Sequence, residues 1–292
     1  MPVRDDLGVR MKEFYEQIPK TRLMRRTPVA IRIDGKAFHT FTRGFDKPFD
    51  MVLVRTMQRT TKYLCENIQG CVFGYTQSDE ITLILVDYKR LTSSAWFDYE
   101  VQKMCSIAAS MATMAFNRFF VEEVAAWRNR TFPRDYLGYN TGTIAEADIA
   151  LLETYGKAIA KGAMFDARCF NIPKEEVTNL VYWRQLDATR NSIQMVGQAN
   201  FSHNELQDKT CNMIQDMLHE QKGINWNDFP ASLKRGSAVV RNEVEVERTE
   251  HTVSAYRRDN SKPAKEWIID EDMPILKNEG RDYVDKLIYV GE

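Results

Sequence analysis

Hydrophobic residues alternate with polar ones over short stretches of this chain and recur at helical spacing over longer stretches. The run TPVAIRID, residues 27–34, is β-branched and alternating, which predicts a strand. A turn at Gly35 follows. Apolar residues at helical spacing from Leu53 to Ile68 then predict a helix, with Asp50 as its N-terminal cap. After a polar, helix-like stretch over the first 26 residues, the pattern therefore predicts a strand followed by a helix.

Two short apolar runs come next, CVFGYT at 71–76 and ITLILV at 81–86, separated by QSDE as in a β-hairpin. A long helix is predicted over about residues 98–126. One face of this helix is expected to carry Met104, Ile107, Met111, Ala115 and Phe119. The order through residue 126 is β-α-β-β-α, which indicates an α+β fold with helices packed on an antiparallel sheet.

The remaining chain carries weaker patterns. A helix is predicted at 144–160, and AMFDARCFNIP at 163–173 predicts a strand that completes a split β-α-β unit. Two helices are expected next, at roughly 174–188 and 190–200. The last two features of the sequence pattern are a capping-box spacing and a predicted exposed hairpin.

The capping box consists of Ser202 and Glu205, which predicts another helix from this point. The hairpin is RGSAVVRNEVEVER, residues 235–248. Both features indicate a C-terminal extension of helices and a hairpin beyond the split β-α-β unit.

Composition favours a soluble globular protein, with 43% hydrophobic and 28% charged residues in 292. The net charge of −1 neither indicates nor excludes a nucleic-acid partner. No apolar run approaches the roughly 20 residues that span a bilayer, and the amino terminus lacks a signal-peptide core. The five cysteines contain no CxxC pair, which favours reduced thiols and gives no zinc framework. We therefore expect a cytoplasmic protein without a membrane partner.

Acidic side chains occur twice at the tips of predicted strands. Asp34 directly precedes Gly35, and Asp79 and Glu80 lie between the two hairpin strands. Carboxylates and a backbone carbonyl suit magnesium, and two such ions about 4 Å apart can activate a hydroxyl and stabilise a leaving phosphate. Gly35 would allow close approach of a triphosphate. The alternative is that these are ordinary turn residues in solvated loops, and spacing alone leaves both interpretations open.

Five motifs occur in order along the chain: RIDGKAFHTF (32–41), FDKPFD (45–50), GYTQSDE (74–80), FDAR (165–168) and YWRQ (182–185). Together they resemble the tRNA-histidine guanylyltransferase family of 3′-to-5′ nucleotide polymerases. The resemblance covers about residues 28–125 and 163–240. It implies a ferredoxin-like palm sheet, in agreement with the α+β element order.

The resemblance also suggests how the chain is divided. Residues 1–135 would form the palm-like catalytic core with an N-terminal helix. Residues 136–292 would complete the sheet and add a helical region and a C-terminal hairpin, packed as one unit with the core. The segment 127–162 is longer than the family needs and is interpreted as an insertion of unknown role.

The family's site residues carry over to matching positions. By this resemblance, Asp34, the Gly35 carbonyl and Asp79 would bind two Mg²⁺ ions. Glu80 would support the site, and Lys47 would neutralise phosphate charge during activation of the RNA 5′ end. Residues around the triphosphate would be Asp34, Gly35, Lys36, Ala37, Phe38, His39, Ser78 and Asp79. Asp50 matches a position linked to activation, although its role as a helix cap is equally compatible.

The activity implied is a magnesium-dependent nucleotidyltransferase that adds guanosine or other nucleotides to the 5′ end of tRNA. GTP would be the added nucleotide, and ATP or GTP would activate a 5′-monophosphate. Family members are typically homotetramers. The stretch TRNSIQM, Thr189 to Met195, lacks a histidine that the eukaryotic enzymes carry there. This difference favours the guanylyltransferase-like branch, which repairs truncated tRNAs.

Basic residues are expected to hold the tRNA. The candidates are Lys20, Arg22, Arg25, Arg26, Arg128, Arg130, Lys234 and Arg235, with His203 as a possible contact to a 5′ triphosphate. Arg184 and Gln185 of YWRQ are candidates for substrate handling or for a structural ion pair. Two other functions remain open: a palm-type nucleotidyl cyclase, whose Gly-rich turn is missing here, and a non-catalytic tRNA-binding protein.

Overall fold

The structure is a computed structural model that describes residues 6–132, 145–244 and 264–291. Within these ranges the strands form one antiparallel sheet with the spatial order β4-β1-β3-β2-β5-β6. The strands are β1 Val29–Gly35, β2 Cys71–Gln77, β3 Glu80–Leu85, β4 Phe165–Asn171, β5 Ser237–Val244 and β6 Ala264–Asp270. This sheet, with helices packed on it, confirms the predicted α+β class.

Helices cover both faces of the sheet. They are α1 Asp6–Met11, α2 Phe38–Phe41, α3 Met51–Asn67, α4 Val101–Thr131, α5 Glu146–Lys161, α6 Lys174–Asn200, α7 His203–Leu206, α8 Cys211–Lys222, α9 Ala231–Arg235 and α10 Asp282–Ile288. A π-helical turn, Lys12–Glu16, follows α1, and short 3-10 turns lie at Trp96–Tyr99, Trp226–Asp228 and Asn278–Arg281.

The alternation of side chains along β1 decides which residues face which helices. Ile31 and Ile33 point into the core shared with α3 and α4, and both are fully buried. Ala30 points to the opposite side, into the core shared with α6 and α10. Because strand side chains alternate, Arg32 and Asp34 lie on the α6 side of the sheet together with Ala30.

Helix α4 is the long helix that the sequence predicts, although its buried face is different. Met104, Ala115 and Phe119 are buried as expected, whereas Ile107 is exposed and Ala108 is fully buried in its place. Small residues allow α4 to lie close to α3 and β4, so the buried stripe follows the alanines. By length and composition alone α4 could cross a membrane, yet its contacts with α3 and β4 are those of a core helix.

Two predicted boundaries in the second half are wrong. The pair of helices expected at 174–188 and 190–200 is one continuous helix, α6, because nothing between these ranges breaks a helix. The exposed hairpin expected at 235–248 is also wrong for its described part. Its residues 237–244 form β5, an inner strand between β2 and β6 in which Ala238 and Val239 are fully buried. The rest of that stretch lies outside the described residues.

The predicted capping box is confirmed, since the Glu205 amide donates to Ser202 Oγ and the Ser202 amide donates to the Glu205 carboxylate. The sheet takes strands from both sides of the boundary at 135/136, and the division into 1–135 and 136–292 stays a prediction.

Candidate active site

The two acidic strand tips lie next to each other. Pairing of β1 with β3 places Asp34 directly opposite Glu80, and Asp79 precedes Glu80 in the tight turn from β2. The Gly35 amide donates a hydrogen bond to the Asp79 carbonyl at 3.1 Å, which ties the two tips together. Antiparallel pairing of neighbouring strands therefore brings together the residues that the sequence singled out.

The environment of Asp79 makes its negative charge costly. Burial raises the pKa of Asp79 above its ordinary value, and the charge of Asp34 raises it further. Hydrogen bonds from the local backbone and from Ser78 Oγ, which donates to Asp79 Oδ1 at 3.1 Å, oppose part of this shift. A cation placed between Asp34 and Asp79 would relieve this repulsion.

Glu80 is enclosed by arginine side chains rather than directed at the carboxylate pair. Its Oε1 accepts from Arg32 Nε at 2.9 Å and from Arg32 Nη2 at 2.6 Å. Its Oε2 accepts from Arg184 Nη2 at 2.6 Å. Since both carboxylate oxygens are engaged, Glu80 is placed to support the strand tips, the role that the resemblance suggested.

Arg184 and Gln185 of YWRQ act as structural anchors. Arg184 bridges Glu80 and Asp187, at 2.6 and 2.8 Å. The buried Gln185 amide donates to the Pro274 carbonyl and its oxygen accepts from the Leu276 amide, so it attaches the C-terminal segment to α6. Of the two alternatives for Arg184, the geometry supports the ion pair.

A cleft of about 470 Å³ opens beside Asp79. Eight of the predicted site residues line it: Gly35, Ala37, Phe38, His39, Lys47, Asp50, Ser78 and Asp79. Asp34 and Lys36 are not among the lining residues: Asp34 lies half-buried beside the cleft, and Lys36 is exposed next to it. The cleft lies within the usual size range of small-molecule sites.

Sequence reasoning missed six further lining residues, which are Thr42, Phe45, Asp46, Pro48, Leu53 and Met195. Phe45, Asp46 and Pro48 lie within the motif FDKPFD, and Thr42 and Leu53 lie within three residues of the motifs. Met195 comes from α6, far along the chain, and only the tertiary packing brings it to the cleft.

The turn after Asp34 is tightly packed. A Cβ atom on Gly35 would lie 2.2 Å from Phe38 Cδ2, so only glycine fits there. The Phe38 ring cannot move away easily because it packs against Phe41, Phe116 and Phe165, at centroid distances of 5.1, 5.4 and 5.1 Å. Ala37 adopts a left-handed conformation, with φ of 54°. This aromatic cluster fixes the backbone that leads out of Asp34.

Asp50 acts as a helix cap. Its Oδ1 accepts from the Leu53 amide at 2.9 Å, and its Oδ2 accepts from the Asp46 amide at 3.1 Å and from Tyr155 Oη at 2.7 Å. Burial raises the pKa of Asp50, although these hydrogen bonds hold it back. Tyr155 belongs to α5, so the segment interpreted as an insertion supports one wall of the cleft.

The remaining site candidates are exposed. Lys47 and His39 both lie at the cleft with exposed side chains. His39 Nε2 is 3.0 Å from Thr40 Oγ1. Both side chains are therefore accessible from the cleft.

Several arginines and lysines expected to hold tRNA already have partners. Arg22 pairs with Asp98 at 2.7 Å, and Arg25 pairs with Asp87 at 2.7 Å. Lys234 is buried and donates to a backbone carbonyl at 2.6 Å. Arg128 and Arg130 lie in the exposed last turn of α4, and His203 is the exposed first residue of α7. These three residues and the exposed Arg26 are the more accessible candidates.

Across the described ranges, no group of three or more His, Cys, Asp or Glu side chains is arranged to hold a metal ion. The strand tips offer two carboxylates, Asp34 and Asp79, and the carbonyl of Gly35. This set is too small for an all-protein cage, but magnesium keeps several waters and takes oxygens from a substrate phosphate. The residues therefore fit a magnesium-bound nucleotide.

A family model described as tRNAHis guanylyltransferase matches residues 8–173, more than half of the chain. The chain belongs to the tRNA(His) guanylyltransferase family. It is accordingly a nucleotidyltransferase, as the five motifs indicated. The match covers both acidic strand tips and β4. It ends just before α6 begins.

Relatives and solved structures agree with this assignment. The tRNA(His) guanylyltransferase of Schizosaccharomyces pombe is 25% identical over 246 residues, which cover 80% of this chain and 80% of that protein. A bacterial tRNA(His) guanylyltransferase-like protein in complex with ATP is 35% identical with a TM-score of 0.72, over 97% of this chain and 100% of that chain. A structure of such a bacterial protein in complex with GTP is 33% identical with a TM-score of 0.69, over 98% and 100% of the respective chains.

Proposed function

We propose that this protein adds nucleotides to the 5′ end of tRNA in the 3′-to-5′ direction, using GTP and magnesium. ATP or GTP would first activate a 5′-monophosphate. The observation that carries the proposal is the adjacency of Asp34 and Asp79 beside a nucleotide-sized cleft. The bacterial structures in complex with ATP and GTP support a nucleotide as the occupant of that cleft.

Asp34 and Asp79, with the Gly35 carbonyl, would hold two magnesium ions together with phosphate oxygens of the nucleotide. When bound, magnesium would neutralise charge on the phosphates and lower the pKa of an attacking hydroxyl. The raised pKa of Asp79 supports this assignment, because burial and the charges of Asp34 and Glu80 raise it and no positive charge among the described residues is a cause that lowers it. Glu80 already has two guanidinium partners and would remain outside this set.

The cleft residues would bind and orient the triphosphate. Gly35 would face the phosphates with its backbone only, because Phe38 fills the space on the side where a Cβ atom would stand, and Ser78 holds Asp79 in position through its hydroxyl. Lys47 would neutralise charge on the 5′ phosphate of the RNA during activation. Phosphoryl transfer depends mainly on such positioning and charge neutralisation. The 3′-hydroxyl of GTP would then attack the activated 5′ phosphate and release the activating nucleotide as its monophosphate.

We infer that repair of truncated tRNAs is the activity of this chain. The absence of the eukaryotic histidine from Thr189 to Met195 supports this assignment. The 35% identity to a bacterial guanylyltransferase-like protein supports it as well. A homotetrameric state and a cytoplasmic location remain expectations from the family and from composition.

The test is a 5′-extension assay with labelled GTP. One substrate is a 5′-monophosphorylated tRNA that lacks its first nucleotide, with ATP supplied, and the other is a full-length histidine tRNA. We expect magnesium-dependent lengthening of the truncated tRNA by the nucleotide that restores base pairing. No lengthened product would contradict the proposal, and cyclic products from nucleotides alone would favour a cyclase instead.

A further inference from the structure

Trp183 has an unusual position for a tryptophan in this fold. Its side chain is 52% exposed, and it belongs to none of the three hydrophobic core clusters in the described chain. The four other tryptophans are part of these clusters or packed against them. Packing therefore does not explain why a large aromatic ring lies at this surface position.

Two guanidinium groups hold the exposed ring. The Arg184 Cζ atom lies 4.5 Å from the ring centroid of Trp183, and the Arg32 Cζ atom lies 5.2 Å from it. Both arginines are themselves fixed by Glu80, so the indole is anchored to the same ion network that supports the strand tips. The ring is exposed and yet held in place.

The ring lies close to the carboxylate pair. Arg32 precedes Asp34 by two residues on the same strand face, a separation of about 7 Å along β1. Glu80, which both arginines contact, is paired with Asp34 across the strands. The ring is therefore connected to the strand tip that carries Asp34 through the side chains of Arg32 and Glu80.

The surface around Trp183 is suited to a phosphate backbone. Arg168 on β4 lies directly opposite Arg32 and has a 57% exposed side chain. Arg190 follows Trp183 by seven residues on the same face of α6 and is 62% exposed. The ion pair of Arg168 with Asp166 is solvent-exposed on both sides, and such pairs contribute little, so a phosphate can replace Asp166. Arg190 pairs with the partly buried Asp187, which Arg184 also holds, and its own exposed guanidinium has donors left for a phosphate.

We propose that Trp183 is the platform on which a terminal base of the RNA acceptor end stacks, with Arg168 and Arg190 contacting its phosphates. This inference rests on the proposed function, since it names how the tRNA substrate meets the same site. A nucleobase matches the surface because every base has a flat π-face, and a neighbouring phosphate is complementary to the arginines. The nucleotide triphosphate binds separately, in the cleft lined by Lys47 and Ser78.

Three variants test the platform. Trp183→Ala removes the ring, and Trp183→Phe keeps an aromatic face. Leu186→Ala is the matched control, because Leu186 lies on the same helix and is 50% exposed. The guanidinium groups of Arg32 and Arg184 contact Trp183 instead. Steady-state extension of a truncated tRNA gives kcat, KM for the RNA and KM for GTP. Fluorescence anisotropy of a labelled acceptor-stem RNA gives its Kd directly.

We expect Trp183→Ala to raise KM and Kd for the RNA about 5- to 150-fold, the range found when one stacked base loses its aromatic partner. KM for GTP should stay near the wild-type value, Trp183→Phe should restore most of the RNA affinity, and Leu186→Ala should behave as wild type. An equal RNA affinity in Trp183→Ala and wild type would overturn the platform. A fall in kcat with a rise in KM for GTP would instead show a purely structural role for Trp183 and would also overturn it.

The extension assay on the wild-type protein distinguishes failure of the Trp183 platform from failure of the proposed function. If wild type extends the truncated tRNA while Trp183→Ala keeps its RNA affinity, the platform alone fails. If wild type does not extend any tRNA, the proposed function fails and the platform fails with it.

Discussion

Replacement of Gly35 by alanine is the substitution whose effect follows most directly from the geometry of the site. The new Cβ would lie 2.2 Å from Phe38 Cδ2, whereas two carbon atoms in favourable contact are about 3.5–4.0 Å apart. Either the Phe38 ring or the backbone of the turn must therefore move by about 1.5 Å. The ring is only 4% exposed and is packed among other phenylalanines, so the backbone next to Asp34 takes up much of the shift.

The expected magnitudes follow from this displacement. Overpacking of a buried site costs about 1–3 kcal/mol, which lowers Tm by about 2–5 °C in a chain of this length. A misplacement of about 1 Å at reacting groups costs on the order of 10²-fold in rate. We therefore expect Gly35→Ala to fold, to lose a few degrees in Tm, and to lose about 100-fold in kcat/KM for 5′ extension.

Thermal unfolding and the extension assay measure both effects, with Gly156→Ala as the matched control. A Cβ at Gly156 would have no atom within 4 Å, and this glycine lies inside α5. Because alanine favours helix over glycine by up to about 1 kcal/mol, the control should be slightly more stable and fully active. Wild-type Tm and wild-type kcat/KM in Gly35→Ala would refute the view that this contact positions Asp34.

Three further substitutions test the roles assigned above. Glu80→Gln removes the negative charge that pairs with the guanidinium groups of Arg32 and Arg184, and it should lower the free energy of unfolding by about 2–3 kcal/mol. The expected Tm is lower by about 3–5 °C, and an unchanged Tm would argue against a supporting role for Glu80. Asp79→Asn should raise Tm above wild type at pH 7 in the presence of a chelator, because the folded-state pKa of Asp79 is raised by burial and by Asp34. The protonated Asp79 carboxyl stabilises the fold fully below the pKa of Asp79 in the unfolded chain, and this stability is lost as pH rises through the pKa of Asp79 in the folded protein. The Tm values of Asp79→Asn and wild type should therefore converge in acid. A constant difference in Tm at all pH values would contradict this reasoning. Tyr155→Phe removes a 2.7 Å hydrogen bond to Asp50 and should lower the free energy of unfolding in urea by about 1 kcal/mol. KM for GTP should change little, and a large rise in KM for GTP would instead indicate a direct contact between Tyr155 and the nucleotide.

The sequence predicted the sheet well where local patterns are strong. The alternating run before Asp34 and the two runs around Asp79 are strands, and the tight turn between β2 and β3 makes those two strands pair as a hairpin. The prediction failed where tertiary packing determines whether a stretch lies inside the sheet or at the surface. The polar residues that follow Ser237 predict a surface position for this stretch, yet β5 lies between two strands, with Ser237, Ala238 and Val239 buried.

The site shows the same division between local and distant information. The motifs predicted Asp34, Gly35 and Asp79 as neighbours, since both acidic strand tips belong to neighbouring strands of one sheet. No sequence signal linked Tyr155 to Asp50, because their contact joins residues 105 positions apart. Trp183 was part of a quoted motif, but its exposure and its contacts with arginines required coordinates.

Counting the Mn²⁺ ions bound with a non-hydrolysable GTP analogue tests most directly whether Asp34 and Asp79 jointly hold a cation-bound triphosphate. Wild type should bind two ions at saturating nucleotide, while Asp34→Asn and Asp79→Asn should each lose at least one. Asp208→Asn, which removes the same charge at an exposed position far along the chain, should keep both. Full stoichiometry with unchanged affinity in Asp34→Asn and Asp79→Asn would contradict the shared cation site.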